Sequence, residues 1–150
     1  MEDGLEPLTY EDLANQSLVF SSHLFQRSLI FCLCSNTIES VVGYVGMIRP
    51  QHVGLMLSAK IDEQKLSHLI QNFQPNFLWL PIQYQLPVDH EVVYQYGRYQ
   101  LVEVFSDRHE MHSDLALLMG TSGSTGSSMM VRQSSKNLFR NARSIQESLN

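Results

Sequence analysis

The sequence predicts an α/β fold: a parallel-sheet βαβ core with a hairpin added to it. Three observations carry that expectation. Continuous apolar runs alternate with segments whose apolar residues recur at helical spacing. A pair of alternating segments flanks Gly97-Arg98, as a hairpin requires. Short connections between the alternating elements imply parallel strands joined by right-handed crossovers.

The elements follow in order. Thr9 with Asp12 three residues later reads as an N-cap, and Leu13, Phe20 and Leu24 mark one face of a helix over roughly 9–26. Leu29 to Cys34 is an unbroken apolar run, suited to a strand covered on both faces. Asn36 is the expected cap of a second helix, with Glu39 in its first turn and Ile38, Val41, Val42, Val45 and Ile48 at helical spacing. His52 to Leu57 reads as a second buried strand. Asp62 opens a third helix with Leu66, Leu69, Ile70 and Phe73 on its inner face, and Asn76 to Leu80 is a third strand stopped by Pro81. After a connector to Pro87, the hairpin strands are Glu91–Tyr96 and Tyr99–Phe105, followed by a polar loop from Ser106 to Ser113. Leu115 to Met119 and Met129 to Gln133 are two further strands. Ser134 or Ser135 caps a last helix with Leu138, Ala142, Ile145 and Leu149 on one face.

Composition narrows the function. A chain of 150 residues with 43% hydrophobic content suits a single domain with a real core. A net charge of -5 disfavours nucleic-acid binding, since the only basic concentration is Arg132, Lys136, Arg140 and Arg143. No apolar run approaches the roughly 20 residues that span a bilayer. The first six residues are acidic, the wrong sign for a secretory leader, so a cytoplasmic protein is expected. Cys32 and Cys34, two apart, would share one face of a strand. A disulfide between them would close almost no loop, and no second ligand pair completes a metal site, so buried reduced thiols are expected. His109 and His112 lack the i, i+4 helical spacing of a zinc protease and fall in a loop; the other histidines form no pattern. No metal ligand and no catalytic residue is assigned.

One segment carries chemistry. Thr121-Ser122-Gly123-Ser124-Thr125-Gly126 sits between two apolar strands, which distinguishes it from a flexible linker. Its glycines permit close backbone approach to an anion, and its hydroxyls are donors around it, as a phosphate cradle needs. The Walker spacing is absent.

The stretch from Asp114 through Thr121–Gly126 to Lys136, Asn137 and Leu138 resembles the core motif of the AMP-forming adenylation superfamily, whose members include acyl-CoA synthetases and aryl-acid ligases. In that pattern a strand precedes T-S-G-S/T-T-G-x-P-K-x-V, and a second strand leads to S-H-x-N-L on a helix. Leu8 to Leu13 resembles the opening T-Y-x-E-L helix of the same family, and Asn36 to Pro50 its N-x-x-E helix. The resemblance implies that the fold is the first part of an adenylate-forming enzyme's N-terminal domain. It implies that Thr121, Ser122, Gly123, Ser124, Thr125 and Gly126 contact the phosphates of ATP bound with Mg²⁺, while a carboxylic acid is converted to an acyl-adenylate and pyrophosphate. This chain departs from the pattern at Ser128 for Pro, Met129 for Lys and Ser135 for His. The missing cation removes a charge-assisted contact of about 1.5–3 kcal/mol. The family's adenine, ribose and magnesium motifs and its catalytic Lys fall beyond Asn150 in the pattern. The resemblance therefore implies an N-terminal fragment, residues 1–150, inactive by itself. A non-catalytic interaction or complementation module is the alternative, working by self-association or by pairing with a downstream chain.

Overall fold

A computed structural model describes residues 8–24, 26–48, 52–105, 107, 110–120 and 130–149. Helix α1 (Tyr10–Ser22) opens on a capping box: Thr9 Oγ1 accepts from the Asp12 N–H at 3.1 Å, and the Asp12 carboxylate accepts from the Thr9 N–H at 3.0 Å. The helix ends earlier than its periodicity suggests. The N–H groups of His23 and Leu24 bond to carbonyls three residues back, which tightens the last turn and lets Leu24 drop into the core.

Strand β1 (Leu29–Cys34) is followed by α2 (Ile38–Ile48). The residue preceding α2 is Thr37 and not Asn36, because Thr37 Oγ1 accepts from the Ser40 N–H at 3.4 Å, the third-position bond an N-cap makes. Strand β2 (Val53–Ser58) leads to α3 (Glu63–Phe73), where Asp62 caps as expected, accepting from the N–H groups of Gln64 and Lys65. Then come β3 (Phe77–Pro81), the hairpin β4 (Glu91–Tyr96) and β5 (Tyr99–Glu103), β6 (Leu115–Gly120), β7 (Met130–Ser134) and α4 (Ser135–Ser148), which Ser134 caps. Strand β5 stops two residues short of Phe105, and Val104 N–H bonds instead to Asn76 O at 2.9 Å.

The described strands form one sheet in the order β4-β5-β3-β1-β2-β6-β7. The pairs β1–β2, β1–β3 and β2–β6 are parallel; β5 joins β3 antiparallel, and β7 joins β6 antiparallel. The sequence order steps from β1 to β2 and then across to β3 on the other side of β1, so crossovers of one hand must place α2 and α3 on opposite faces. The two cores agree. On one face Ile30, Cys32, Phe77, Trp79 and Leu101 pack with Phe20 of α1 and Met47 of α2. On the other, Phe31, Leu33, Leu55, Leu78 and Leu80 pack with Leu66 and Ile70 of α3. Each such fully buried side chain contributes roughly 1.5–3 kcal/mol.

Helix α4 behaves differently. None of its residues is buried; Phe139 is 72% exposed and Ile145 61% exposed. The apolar face read from the sequence exists, but the described residues do not cover it.

Candidate nucleotide site

All six residues of the expected phosphate cradle, Thr121, Ser122, Gly123, Ser124, Thr125 and Gly126, lie outside the described residues, as do Ser128 and Met129. The two strands that enclose them are described. Gly120 and Met130 are partners at the end of the β6–β7 ladder, so the segment between them begins and ends on adjacent strands. Because β6 runs parallel to β2, and β2 to β1, Gly120 lies at the same sheet edge as Ser58 and Cys34, the carboxyl ends of those strands. Ligands of open α/β sheets bind outside that edge. A Cβ built on Gly120 would meet no atom of the described residues within 4 Å.

The register also places the cations that follow the loop. Arg132 pairs with Leu118, midway along β7, and Lys136 lies in the first turn of α4, past the far end of that strand. A five-residue strand spans roughly 17 Å. Lys136 thus starts at the opposite sheet edge, and sequence proximity to the loop does not translate into spatial proximity. A groove of about 1030 Å³ lies by that opposite edge, against Leu29, Val53 and Leu115, the first residues of their strands, with Phe73 and Arg132 on its walls. It is distinct from the carboxyl edge that Gly120 occupies.

The carboxyl edge holds a polar cluster that the sequence did not suggest. Tyr99 donates its hydroxyl to Leu33 O at 3.0 Å, and the Tyr99 hydroxyl oxygen in turn lies 3.2 Å from the Ser40 hydroxyl, which donates to it, and 2.8 Å from that of Ser35. Glu39, read from the sequence as a helix N-terminal acid, is 1% exposed. Its Oε1 accepts from Arg98 N–H at 3.0 Å, beneath the hairpin turn, and Trp79 Nε1 donates to Glu39 O at 2.9 Å. Burial alone would raise the Glu39 pKa. Backbone N–H groups of Arg98 and of Glu39 itself, the Thr37 hydroxyl and the Arg98 charge outweigh it, and the pKa falls below its ordinary value. The nearest sequence signal was Gly97, but its φ of 56° favours glycine in the hairpin turn by itself, and the neighbour pressed beneath it is 58 positions away in sequence.

The cysteines are free and share the α2 face, as expected, yet only Cys32 is fully buried while Cys34 is partly exposed. Among the described residues no group of three or more His, Cys, Asp or Glu could hold a metal ion, and no helix is long and apolar enough to cross a membrane.

No family model and no curated protein matches the sequence. Solved structures do. O-succinylbenzoate Coenzyme A synthetase (MenE) from Bacillus subtilis, in complex with AMP, is similar with a TM-score of 0.70 at 17% identity over 100% of this chain and 42% of its own. Apo MatB from Rhodopseudomonas palustris is similar with a TM-score of 0.69 at 18% identity over 97% and 33%. The chain has the fold of an adenylate-forming enzyme's N-terminal domain. The Klebsiella oxytoca NpsA N-terminal subdomain is also similar, with a TM-score of 0.61 at 15% identity over 89% of this chain and 37% of its own. The 150 residues span between a third and about two fifths of the length of the first two of these adenylate-forming folds.

Proposed function

We propose that the chain is a member of the AMP-forming adenylation superfamily and supplies the phosphate loop of an ATP site. The observation that supports this is the position of the motif. A sequence suited to cradling phosphate falls in the β6–β7 connection, at the carboxyl edge of a sheet with the adenylate-forming fold. The hydroxyls of Thr121, Ser122, Ser124 and Thr125 and the backbone N–H groups of Gly123 and Gly126 would hold the β- and γ-phosphates of ATP, with Mg²⁺ as counter-ion. ATP supplies the adenylyl group and the pyrophosphate leaving group. The acyl acceptor is a carboxylic acid, and the cytoplasm is the compartment in which such chemistry would run. Residues 1–150 correspond to the first part of an AMP-binding domain, and by themselves they bind nucleotide without turning it over.

Calorimetry with ATP and Mg²⁺ tests the reading: binding is expected, and Gly126→Val, which fills the cradle, should abolish it. No heat of binding from the unaltered chain would overturn it. ATP–pyrophosphate exchange with a panel of carboxylic acids should stay at background; turnover would overturn the inactive-alone statement and leave the nucleotide site intact.

The exposed apolar face of α4 favours a second reading, a non-catalytic module that works by self-association. Met129, standing where the family pattern has Lys, fits a weakened loop. Silence in the ATP titration together with concentration-dependent oligomers would select this reading.

A further inference from the structure

The geometry points to Cys34 and Cys32 as a thiol-oxidation site, in which Cys34 takes the oxidant and Cys32 closes an intramolecular disulfide. The two Sγ atoms lie 3.3 Å apart near the carboxyl end of β1. Side chains two apart on a strand share a face but need not converge; here one thiol donates to the other. Cys34 is partly exposed whereas Cys32 is fully buried among Trp79 and Ile30, so an oxidant reaches Cys34 first. The S–H group shared with Cys32 lowers the Cys34 pKa despite partial burial, and that same bond, burial and the neighbouring charge raise the Cys32 pKa. A partly exposed thiol of lowered pKa beside a resolving thiol is the arrangement of redox-responsive cysteines. A metal reading has less support, since the pair has no third ligand among the described residues.

The chemistry balances with a hydroperoxide as oxidant. The Cys34 thiolate attacks a peroxide oxygen; the S–O bond forms, the O–O bond breaks, and the leaving oxygen takes a proton to become water or an alcohol. Cys32 sulfur then attacks Cys34 sulfur; the S–S bond forms, the S–O bond breaks, and water leaves with the Cys32 proton. Two thiols are oxidised as one peroxide is reduced. The disulfide is labile on geometric grounds. Strand residues two apart have Cα atoms roughly 6.6 Å apart, at the long end of the roughly 4.4–6.8 Å that disulfides span, and their Cβ atoms stand about as far apart where a disulfide needs about 3.5–4.5 Å, so closure must draw the end of β1 inward. That end is pinned by Cys34 O, which accepts from Ala59 N–H at 2.8 Å, and by the parallel ladder to β2. Strained disulfides are readily reduced, which makes this a reversible modification and not a structural bridge.

Intact-mass spectrometry of the whole chain after equimolar hydrogen peroxide tests the proposal. The expected product is a monomer that has lost two hydrogens, with both thiols closed to maleimide and both restored by reduced glutathione. Cys32→Ser, with Cys32→Ala as a second variant should the buried serine impair folding, is expected to stop at a Cys34 sulfenic acid that dimedone traps. Cys34→Ser should leave Cys32 open to maleimide under denaturing conditions after the same treatment. The proposal is overturned if both thiols of the unaltered chain remain open to maleimide, if only oxygen adducts accumulate, or if the disulfide forms solely between chains.

Discussion

Gly97 is the position at which one atom decides the most. Its φ of 56° lies in the left-handed region, and a Cβ there would collide with the Glu39 carboxylate. The carboxylate cannot swing aside, being buried and bonded to Arg98 N–H. Gly97→Ala should therefore lower stability by about 2 kcal/mol, read as a drop in the urea midpoint at unchanged slope. Two buried groups set the acid response. Burial first, and the Arg27 charge second, push the His52 pKa below its ordinary 6.5 against a backbone bond to Gln26. The unfolded chain then takes up the proton before the folded one, so the stability contributed by neutral His52 is complete above pH 6.5 and is lost as pH falls through the folded value. Glu39 has the same sign lower down: its contribution is complete above 4.5 and is lost as pH falls through its depressed value. Urea midpoints across the acid range should decline in two windows. His52→Gln should remove the upper decline and Glu39→Gln should reduce the lower, which Asp12, depressed by its bonds with Thr9, shares; a single decline untouched by either would contradict the assignment.

Helix α2 sets propensity against packing. Alanine in place of Gly43 gains about 1 kcal/mol of helix propensity. The added methyl would overlap the indole of Trp79, which is fully buried with Phe20 at 5.1 Å and Tyr99 at 5.4 Å and has nowhere to move. Overpacking of that kind costs about 1–3 kcal/mol. The collision should win, and Gly43→Ala should lower the melting temperature; a rise would mean that α2 can slide away from the sheet. Helix periodicity was legible in the sequence for α2, but the reason for two glycines inside it was not. Gly43 and Gly46 sit where α2 meets Trp79 and Phe20, side chains brought there by β3 and α1. Likewise Thr37 preceded α2 in place of Asn36 because Ser40 N–H faces it, a one-residue choice that spacing could not make.

At the scale of the whole molecule the sheet leaves two features on its flanks: the carboxyl edge where Gly120 ends and the uncovered face of α4. The ATP titration and Gly126→Val address the first. For the second, static light scattering should show mass rising with concentration. Asp at both Phe139 and Ile145, exposed positions on α4, should return the chain to a monomer without lowering its melting temperature. A monomer at every concentration would remove the self-association reading.

The sequence by itself determined the alternation of elements, the caps at Thr9 and Asp62, the hairpin at Gly97-Arg98 and the small-residue segment between two strands. These depend on residues close in the chain, through hydrogen bonds and periodicities that span a few positions. Tertiary structure alone decided which strands became neighbours, that Lys136 starts at the edge away from the loop, and that Glu39 lies buried beneath a distant turn. It also set the two cysteine sulfurs against each other on one face of β1. Each of those depends on the order in which strands enter the sheet, and that order is fixed by burying two apolar faces at once, a condition on the whole chain and not on any window of it.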